Sequence, residues 1–280
     1  MEAAEAAARA AEALRAARVL VITAGAGMGV DSGLPDFRGD QGFWKAYPPY
    51  QRLGLSFVDA ANPEHFDRDP AFGWGFYGHR AALYRRTLPH AGFQILRRWA
   101  SERRLACFVV TSNVDGQFQA AGFSEEQVLE IHGSIRHLQC CSPCSGAIWE
   151  WEQDLPVDLE TMRAGRIPRC PGCHGVARPN ILMFGDMAWL PDRTHRQQAR
   201  FEDFVERHAD QPALVVEMGA GTAIPSIRWT SERLGRLPGT RVVRINPREP
   251  QIGAPHLSME SGALAGLQAI DRALLGEPPA

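Results

Sequence analysis

The feature that most constrains this chain is an apolar strand followed at once by three closely spaced glycines. Residues 19–23 read Val-Leu-Val-Ile-Thr, a composition typical of a strand buried on both faces. Gly25, Gly27 and Gly29 come next and let the backbone approach a ligand without a Cβ in the way. Val30 stands where the usual dinucleotide fingerprint has its third glycine, so the spacing alone fits a phosphate-binding turn or a plain strand-to-helix turn.

Further apolar runs alternate with helical patterns along the chain. Helical segments are predicted around Ala81–Arg104 and Arg193–His208. This alternation predicts an α/β fold built on a doubly wound parallel sheet, with any ligand at the carboxyl ends of the strands. The predicted strands are Val19–Thr23, Ala106–Thr111, Ala213–Met218 and Arg241–Asn246.

Each predicted strand ends in a polar or glycine-rich loop. Carboxyl ends of parallel strands meet at one edge of a sheet, so these loops are expected to converge on one crevice. Turn formation is the alternative role of Asn113 and Asp115, because both residue types favour the ends of strands. The residues concerned are Ala24 onward, Ser112-Asn113-Val114-Asp115, Gly219-Ala220-Gly221-Thr222 and Asn246-Pro247-Arg248.

A stretch with different chemistry, residues 137–178, contains most of the cysteines. Cys170 and Cys173 form a CxxC pair, and Cys144 with either Cys140 or Cys141 can form the other. This spacing predicts a zinc ribbon, in which four thiolates saturate a tetrahedral ion and leave it structural. Free buried thiols or disulfides are the alternatives, and disulfides fit poorly with a chain that shows no secretory signal.

Charge and hydropathy limit the partners. The net charge is −2, with 30 basic against 32 acidic residues, which disfavours nucleic acid as a main partner. Residues 1–18 are alanine-rich with interspersed charges, and they predict an amphipathic helix rather than a signal peptide. No window offers eighteen apolar residues, so we expect no membrane span and a cytoplasmic protein.

The loop after the glycines also contains Pro35-Asp36-Phe37-Arg38-Gly39, a set of groups that a simple turn does not need. Residues 19–39 closely resemble the signature loop of the sirtuins, the NAD-dependent protein lysine deacylases, and the likeness extends to about Leu275. It implies a Rossmann-like domain with a small inserted zinc-ribbon module. Asp36, Phe37 and Arg38 would then contact the nicotinamide ribose, and the NAD site would be lined by Ala24, Gly25, Ala26, Gly27 and Met28. The family usually has serine at Gly29.

The resemblance extends to the remaining motifs. It implies that His132 in Ile131-His132-Gly133 is the general base, and that Asn113 and Asp115 order the nicotinamide pocket and ribose. NAD contacts would also come from Ser112, Gly219, Gly221, Thr222 and Asn246. The chain departs from the family at Ser112, usually glutamine, and at Gln117-Phe118, usually leucine-histidine.

The implied chemistry explains the need for a histidine. Nicotinamide leaves as the acyl-lysine carbonyl attacks the ribose, and a ribose hydroxyl must then lose its proton, which suits a side chain that titrates near neutrality. The resemblance implies that NAD would be a consumed co-substrate, and that the products would be nicotinamide, free lysine and O-acyl-ADP-ribose.

On the substrate side, the resemblance assigns main-chain pairing with an acylated-lysine protein or peptide to the segment with Met183, Phe184 and Gly185. An ordinary edge strand is the alternative. Tyr77 and Arg80 match a pair that grips acyl carboxylates in desuccinylating sirtuins; an exposed arginine beside a half-buried tyrosine is equally consistent with the spacing.

The sequence thus predicts three units: an N-terminal helix (1–18), an NAD-binding domain (19–136 and 179–280) and a zinc module (137–178). Counted from the upstream His-Gly, the sirtuin pattern favours Cys140, Cys144, Cys170 and Cys173 as ligands of one structural zinc, with Cys141 as the alternative first ligand. The preferred function is NAD-dependent protein lysine deacylation of the deacetylase or desuccinylase type. The rivals are an ADP-ribosyltransferase or NAD hydrolase on the same fold, and a non-catalytic NAD-sensing scaffold.

Overall fold

The structure, a computed structural model, describes residues 3–35 and 39–277. The strands in these ranges are β1 (Val19–Ala24), β2 (Ala106–Thr111), β3 (Val128–Glu130), β4 (Gly133–Cys140), β5 (Ile148–Glu150), β6 (Val157–Asp158), β7 (Arg163–Ala164), β8 (Ala177–Ile181), β9 (Ala213–Met218), β10 (Thr240–Ile245) and β11 (Leu257–Met259). The helices are α1 (Ala3–Ala16), α2 (Gly39–Ala46), α3 (Pro48–Arg52), α4 (Phe57–Ala60), α5 (Glu64–Arg68), α6 (Pro70–Arg86), α7 (Ala91–Glu102), α8 (Gln117–Ala120), α9 (Asp192–Arg207), α10 (Ser226–Gly235) and α11 (Ala263–Leu275).

The main sheet is parallel and has the order β11-β10-β9-β1-β2-β3. Every residue of β1 is buried, as expected for a central strand covered on both faces. In the register, Ala24 lies between Thr111 and Met218, and Met218 pairs with Ile245 on its other side. The four principal strands therefore end at one level, so the loops that follow them emerge side by side.

Helices cover both faces of this sheet. On one face, α1, α7 and α11 pack on side chains such as Leu20 and Ile22. On the other face, α9 and α10 pack on Val19 and Val21. The doubly wound α/β architecture predicted from the alternation is confirmed.

One predicted helix is two in the structure. The segment predicted as Ala81–Arg104 is divided between α6 and α7 by residues 87–90. Pro89 lies in this break, and the imidazole of His90 accepts a hydrogen bond from the Gly92 amide at 3.0 Å, which caps α7. No helix in the described ranges is long and apolar enough to cross a membrane.

A second sheet, of order β5-β4-β8, carries the cysteine-rich stretch. Its apolar side chains pack in one cluster with aromatic residues from the region of α2–α6, including Phe43 and Trp74. The contact with α6 is close, because a Cβ on Gly75 would lie 1.8 Å from the Met162 carbonyl oxygen. The cysteine-rich module thus shares its core with residues 34–84, and its predicted limits, 137–178, cover only part of this packed unit.

The loops after β1 and β9 contact each other through backbone atoms. The amide of Gly27 donates to the Gly219 carbonyl at 3.1 Å, and the amide of Gly25 donates to the Met218 carbonyl at 3.0 Å. A Cβ on Gly219 would lie 2.4 Å from the Gly27 Cα, and Gly219 itself has a φ of 60°. Two glycine-specific requirements, space and a left-handed backbone, therefore coincide at Gly219.

We expect Gly219→Ala to lower the free energy of unfolding by about 2–4 kcal/mol, because the methyl group collides with backbone atoms that have no alternative position. Gly221→Ala is the matched control, since a Cβ there meets nothing within 4 Å and the position has no left-handed φ. Urea unfolding of the two variants measures the difference. Equal stability of both would show that the backbone contact is not a constraint.

Candidate active site

The loop after β2 holds the glycine turn in place. The Ala24 carbonyl accepts hydrogen bonds from the Ser112 amide at 3.1 Å and from the Thr111 hydroxyl at 2.9 Å. The side-chain amide of Asn113 donates to the Gly25 carbonyl at 3.0 Å. Asn113 and Ser112 therefore lie at the predicted NAD turn. Each donates a hydrogen bond to a backbone carbonyl there, and these bonds fix the conformation of the turn.

The loops after β9 and β10 are joined in the same way. The buried side chain of Asn246 donates to the Ala220 carbonyl at 2.9 Å and accepts from the amides of Arg248 and Glu249 at 3.0 Å each. The Thr222 hydroxyl donates to the Glu249 carboxylate at 2.6 Å. The structure thus brings the residues predicted for the adenosine side, Gly219–Thr222 and Asn246, into one connected wall.

Arg228 on α10 is a residue of this wall that the sequence did not reveal. Its guanidinium donates to the Ala220 carbonyl at 3.1 Å and to the Glu249 carbonyl at 2.6 Å, so it bridges the same two loops as Asn246. Burial lowers the pKa of Arg228 from its ordinary value. An arginine on a helix, in a chain with many scattered arginines, gives no sequence signal of such a bridge.

His132 lies between the loop after β2 and the segment after β8. Its ring forms a hydrogen bond with the Ser112 backbone, and its carbonyl accepts from the Leu182 amide at 2.9 Å. Burial lowers the pKa of His132, and the hydrogen bond to Ser112 opposes that shift. The next residue, Gly133, has a φ of 79°, and a Cβ there would lie 2.1 Å from the Asn180 carbonyl oxygen. The turn that places His132 therefore depends on glycine.

Two carboxylates, in the loop after β2 and at the end of β3, have pKa values raised by burial. Burial raises the pKa of Asp115 to about 6, and Glu130 raises it further, while the Gln117 amide and Arg80 oppose the shift. Asp115 accepts a hydrogen bond from the Gln117 amide at 2.9 Å. Burial also raises the pKa of Glu130, against the ion pair that Glu130 makes with Arg193 at 2.7 Å.

The predicted substrate segment is fixed by a buried ion pair. Arg178 and Asp186 make two hydrogen bonds, at 2.6 and 2.8 Å, with both side chains almost fully buried. Asp186 also accepts from the Ala188 amide at 3.1 Å, so the carboxylate holds the turn closed. The three predicted residues Met183, Phe184 and Gly185 lie within this turn.

The rim that these residues form is partly apolar. Met183 is buried, whereas 37% of Phe184 is exposed. The Phe184 ring lies 5.9 Å from that of Phe57, and its amide donates to the Ala61 carbonyl at 3.3 Å. Gly185 has a φ of 69°, a left-handed conformation that favours glycine in this turn.

Tyr77 and Arg80 are both buried on α6, contrary to the alternative of an exposed arginine. The guanidinium of Arg80 lies over the rings of Phe76 and Tyr77, 5.0 and 5.7 Å from their centroids. It also donates to the hydroxyl of Tyr84, one helical turn further on, and Tyr84 is a second residue that the sequence analysis missed. The i,i+4 spacing on a helix was the available signal.

The cysteine group meets the geometry of a tetrahedral metal site. The Sγ atoms of Cys140, Cys144, Cys170 and Cys173 all lie within 4.8 Å of one another, and two of the separations are 3.6 Å. Sulfurs at the Zn–S distance in a tetrahedron are about 3.8 Å apart, so the four residues fit zinc. Cys141 instead packs against the aromatic cluster, which favours Cys140 as the first ligand.

Asp36, Phe37 and Arg38 lie outside the described residues, so their predicted contacts with the nicotinamide ribose stay predictions. The roles assigned to the other site residues also remain predictions, although the structure brings most of them to one crevice.

Comparisons with known proteins agree with this arrangement. The profile of the Sir2 family matches residues 25–207. A protein of Aquifex aeolicus named NAD-dependent protein deacylase is 30% identical over 234 residues, 83% of this chain and 85% of that protein. One of the same name from Aeropyrum pernix is 35% identical over 169 residues, 60% of each chain. A mutant Sir2 homologue solved with ADP-ribose matches over 96% of each chain, with a TM-score of 0.71 and 25% identity. The chain therefore belongs to the Sir2 family, the sirtuins, as its motifs predict.

Proposed function

We propose that this protein is an NAD-dependent protein lysine deacylase that converts NAD, water and an acylated lysine into nicotinamide, lysine and O-acyl-ADP-ribose. The observation that carries the proposal is the position of His132, whose ring bonds to the Ser112 backbone and whose main-chain carbonyl accepts from the Leu182 amide. His132 therefore joins the predicted NAD turn to the predicted peptide segment. Relatives that are 30–35% identical are named NAD-dependent protein deacylases.

His132 is suited to accept a proton. Burial lowers its pKa, so its ring is neutral at neutral pH and can take the proton of a ribose hydroxyl. Asn113 fixes the turn that follows β1, and Asp115 lies in the same loop with a pKa of about 6. We assign to these two residues the ordering of the nicotinamide ribose, and to Asn246 and Gly219–Thr222 the contact with the adenosine.

The substrate is an acylated-lysine protein or peptide. The segment 182–186 is held in place by the Arg178–Asp186 pair, and we assign the main-chain contact with the peptide to this segment. Main-chain pairing of this kind places weak demands on the peptide sequence. We also propose a cytoplasmic location, on the sequence argument alone.

Two of the departures from the family pattern that suggested ADP-ribosyl transfer or NAD hydrolysis, Gln117 and Phe118, make contacts inside the protein. Phe118 is buried among the side chains that cover one face of the main sheet, and the Gln117 side chain donates to the Thr87 carbonyl at 2.9 Å. We favour deacylation over either rival because relatives that are 30–35% identical are named NAD-dependent protein deacylases.

The four clustered cysteines support a structural zinc ion, one per chain. With four thiolate ligands the ion has no open coordination position, so it would stabilise the module and take no part in the reaction.

The reaction is tested by mass spectrometry of NAD with acyl-lysine peptides. We expect the native protein to form O-acyl-ADP-ribose. The rate of its formation should fall by about 100-fold or more in His132→Ala, because a positioned general base contributes at least that much. His195→Ala, at an exposed position on α9, is the matched control and should retain the native rate. Nicotinamide release without O-acyl product, or in the absence of peptide, would favour the transferase or hydrolase rivals.

The pH dependence of kcat/KM for the peptide follows from the shift at His132. The neutral ring is the active form, and its pKa lies below the ordinary value of 6.5, so we expect a plateau through neutral pH and a fall only below 6.5. Buried Asp115, with a pKa of about 6, titrates in the same region, and the Asp115→Asn profile separates the two groups. An acid limb centred above 6.5 would contradict the assignment of His132.

Metal analysis of the purified protein should give about one zinc per chain. We expect Cys144→Ser to abolish stoichiometric zinc and to lower the melting temperature, because metal binding supplies folding free energy to the module. Cys141→Ser should keep the metal, since Cys141 packs in the aromatic cluster rather than with the other thiols. Loss of zinc in Cys141→Ser would show instead that Cys141, and not Cys140, is the first zinc ligand.

A further inference from the structure

The short segment that carries His132 is attached to three neighbouring parts of the fold. The Ile131 amide donates to the Thr111 carbonyl at the end of β2, at 2.9 Å. The His132 carbonyl accepts from the Leu182 amide in the predicted peptide segment, also at 2.9 Å. Glu130, two residues before the histidine, makes the third attachment, which joins the end of β3 to helix α9.

Helix α9 binds both the backbone and the side chain of Glu130. The Glu130 amide donates to the side-chain oxygen of Gln197 at 3.1 Å, and the Glu130 carbonyl accepts from the Thr194 hydroxyl at 3.2 Å. The Glu130 carboxylate forms an ion pair with Arg193 at 2.7 Å. All three partners are buried, so this attachment is shielded from solvent.

Helix α9 is a fixed support for this contact because it packs on the main sheet. Phe201 and Phe204 lie further along the helix, and their rings lie 5.2 and 5.3 Å from that of Phe108 on β2. These aromatic residues belong to the core on one face of the sheet. The ties to α9 therefore fix Glu130, and the histidine segment that follows it, relative to that core.

The Glu130 carboxylate also interacts with the far side of the histidine. The Ser134 hydroxyl stabilises the charged form of this carboxylate, as Arg193 does. Because Ser134 follows the turn at Gly133, Glu130 interacts with the chain both before and after His132. Its side chain thus restrains the two ends of the segment 130–134.

A carboxylate at this position is energetically unfavourable unless it is paired. Only 1% of Glu130 is exposed, and burial raises its pKa against the effect of Arg193. A buried ion pair is often no more stable than apolar residues that fill the same space. The stability of the fold therefore does not by itself explain Glu130, whereas a need to hold a neighbouring group in one orientation does.

We propose that Glu130 is a positioning residue for the second step of the reaction: by fixing the segment 130–134 to α9, it aims the His132 ring at the ribose hydroxyl that must lose its proton. This inference rests on the proposed deacylation and deepens it by adding a residue that acts through the base. In the first step, the acyl-lysine carbonyl displaces nicotinamide. That step needs no base, so it should not depend on Glu130.

The test measures the two steps separately in Glu130→Gln, which keeps the shape of the side chain and removes its charge. Exchange of labelled nicotinamide into NAD, in the presence of an acetyl-lysine peptide, reports the first step. Formation of O-acyl-ADP-ribose reports the second. We expect the second step to slow by about tenfold or more, because a small displacement of a catalytic group can cost about 100-fold in rate. Nicotinamide exchange should be undiminished.

Glu126→Gln is the matched control. Glu126 forms an ion pair with Arg200, which is also on α9, at 3.2 Å, but this glutamate is exposed and precedes β3. Its replacement should leave both steps at the native rate. The double variant Glu130→Gln/Arg193→Gln should be no slower in the second step than Arg193→Gln alone, because both changes act on one contact.

Two results with folded Glu130→Gln would overturn the inference: an undiminished second step, or an equal loss of both steps, which would indicate general damage to the site. If Glu130→Gln does not fold, Thr194→Val decides, because it removes only the hydroxyl that bonds to the Glu130 carbonyl. The second step should slow in Thr194→Val and stay native in Thr194→Ser, which keeps the hydroxyl. A native second step in Thr194→Val would then contradict the inference.

The native protein distinguishes this inference from the proposed function. Absence of O-acyl-ADP-ribose from native protein, NAD and peptide would contradict deacylation itself. Native product formation together with either of the contrary results for Glu130→Gln would leave deacylation standing and remove the role of Glu130.

Discussion

The candidate site depends on one contact, the backbone-to-backbone approach of the loops that follow β1 and β9. The amides of Gly25 and Gly27 donate across it, and a side chain at Gly219 would collide with Gly27. The parallel register brings Ala24 and Met218 level, so both loops begin at the same height. At the predicted crevice, Ser112 and Asn113 of the loop after β2 bond to the same glycine turn.

Burial controls the chemistry of the groups around that crevice. It lowers the pKa of His132 and raises those of Asp115 and Glu130, so each is pushed toward its uncharged form. Arg193 and Arg80 oppose the shifts at the carboxylates. Ionisable groups with perturbed pKa values are typical of proton-transferring sites.

Two buried arginines illustrate how the same residue type serves different ends. Arg178 is paired with Asp186 in a two-bond ion pair and orders the segment 182–186. Arg80 donates to the neutral hydroxyl of Tyr84 and lies over the rings of Phe76 and Tyr77. The first arginine is thus stabilised by a carboxylate, whereas aromatic rings and a hydroxyl surround the second.

The sequence by itself determined the strands, the convergence of their loops and three of the clustered cysteines, because alternation of buried runs and CxxC spacing are local properties. The resemblance to sirtuins added His132 and the roles of its neighbours. Only the tertiary structure decided that Cys140 rather than Cys141 joins the other thiols, that Arg228 bridges two loops, and that Tyr84 holds Arg80. A pattern records which residues are buried, but the partner of a buried polar atom is set by rotamers and by segments distant in sequence, which no local pattern contains.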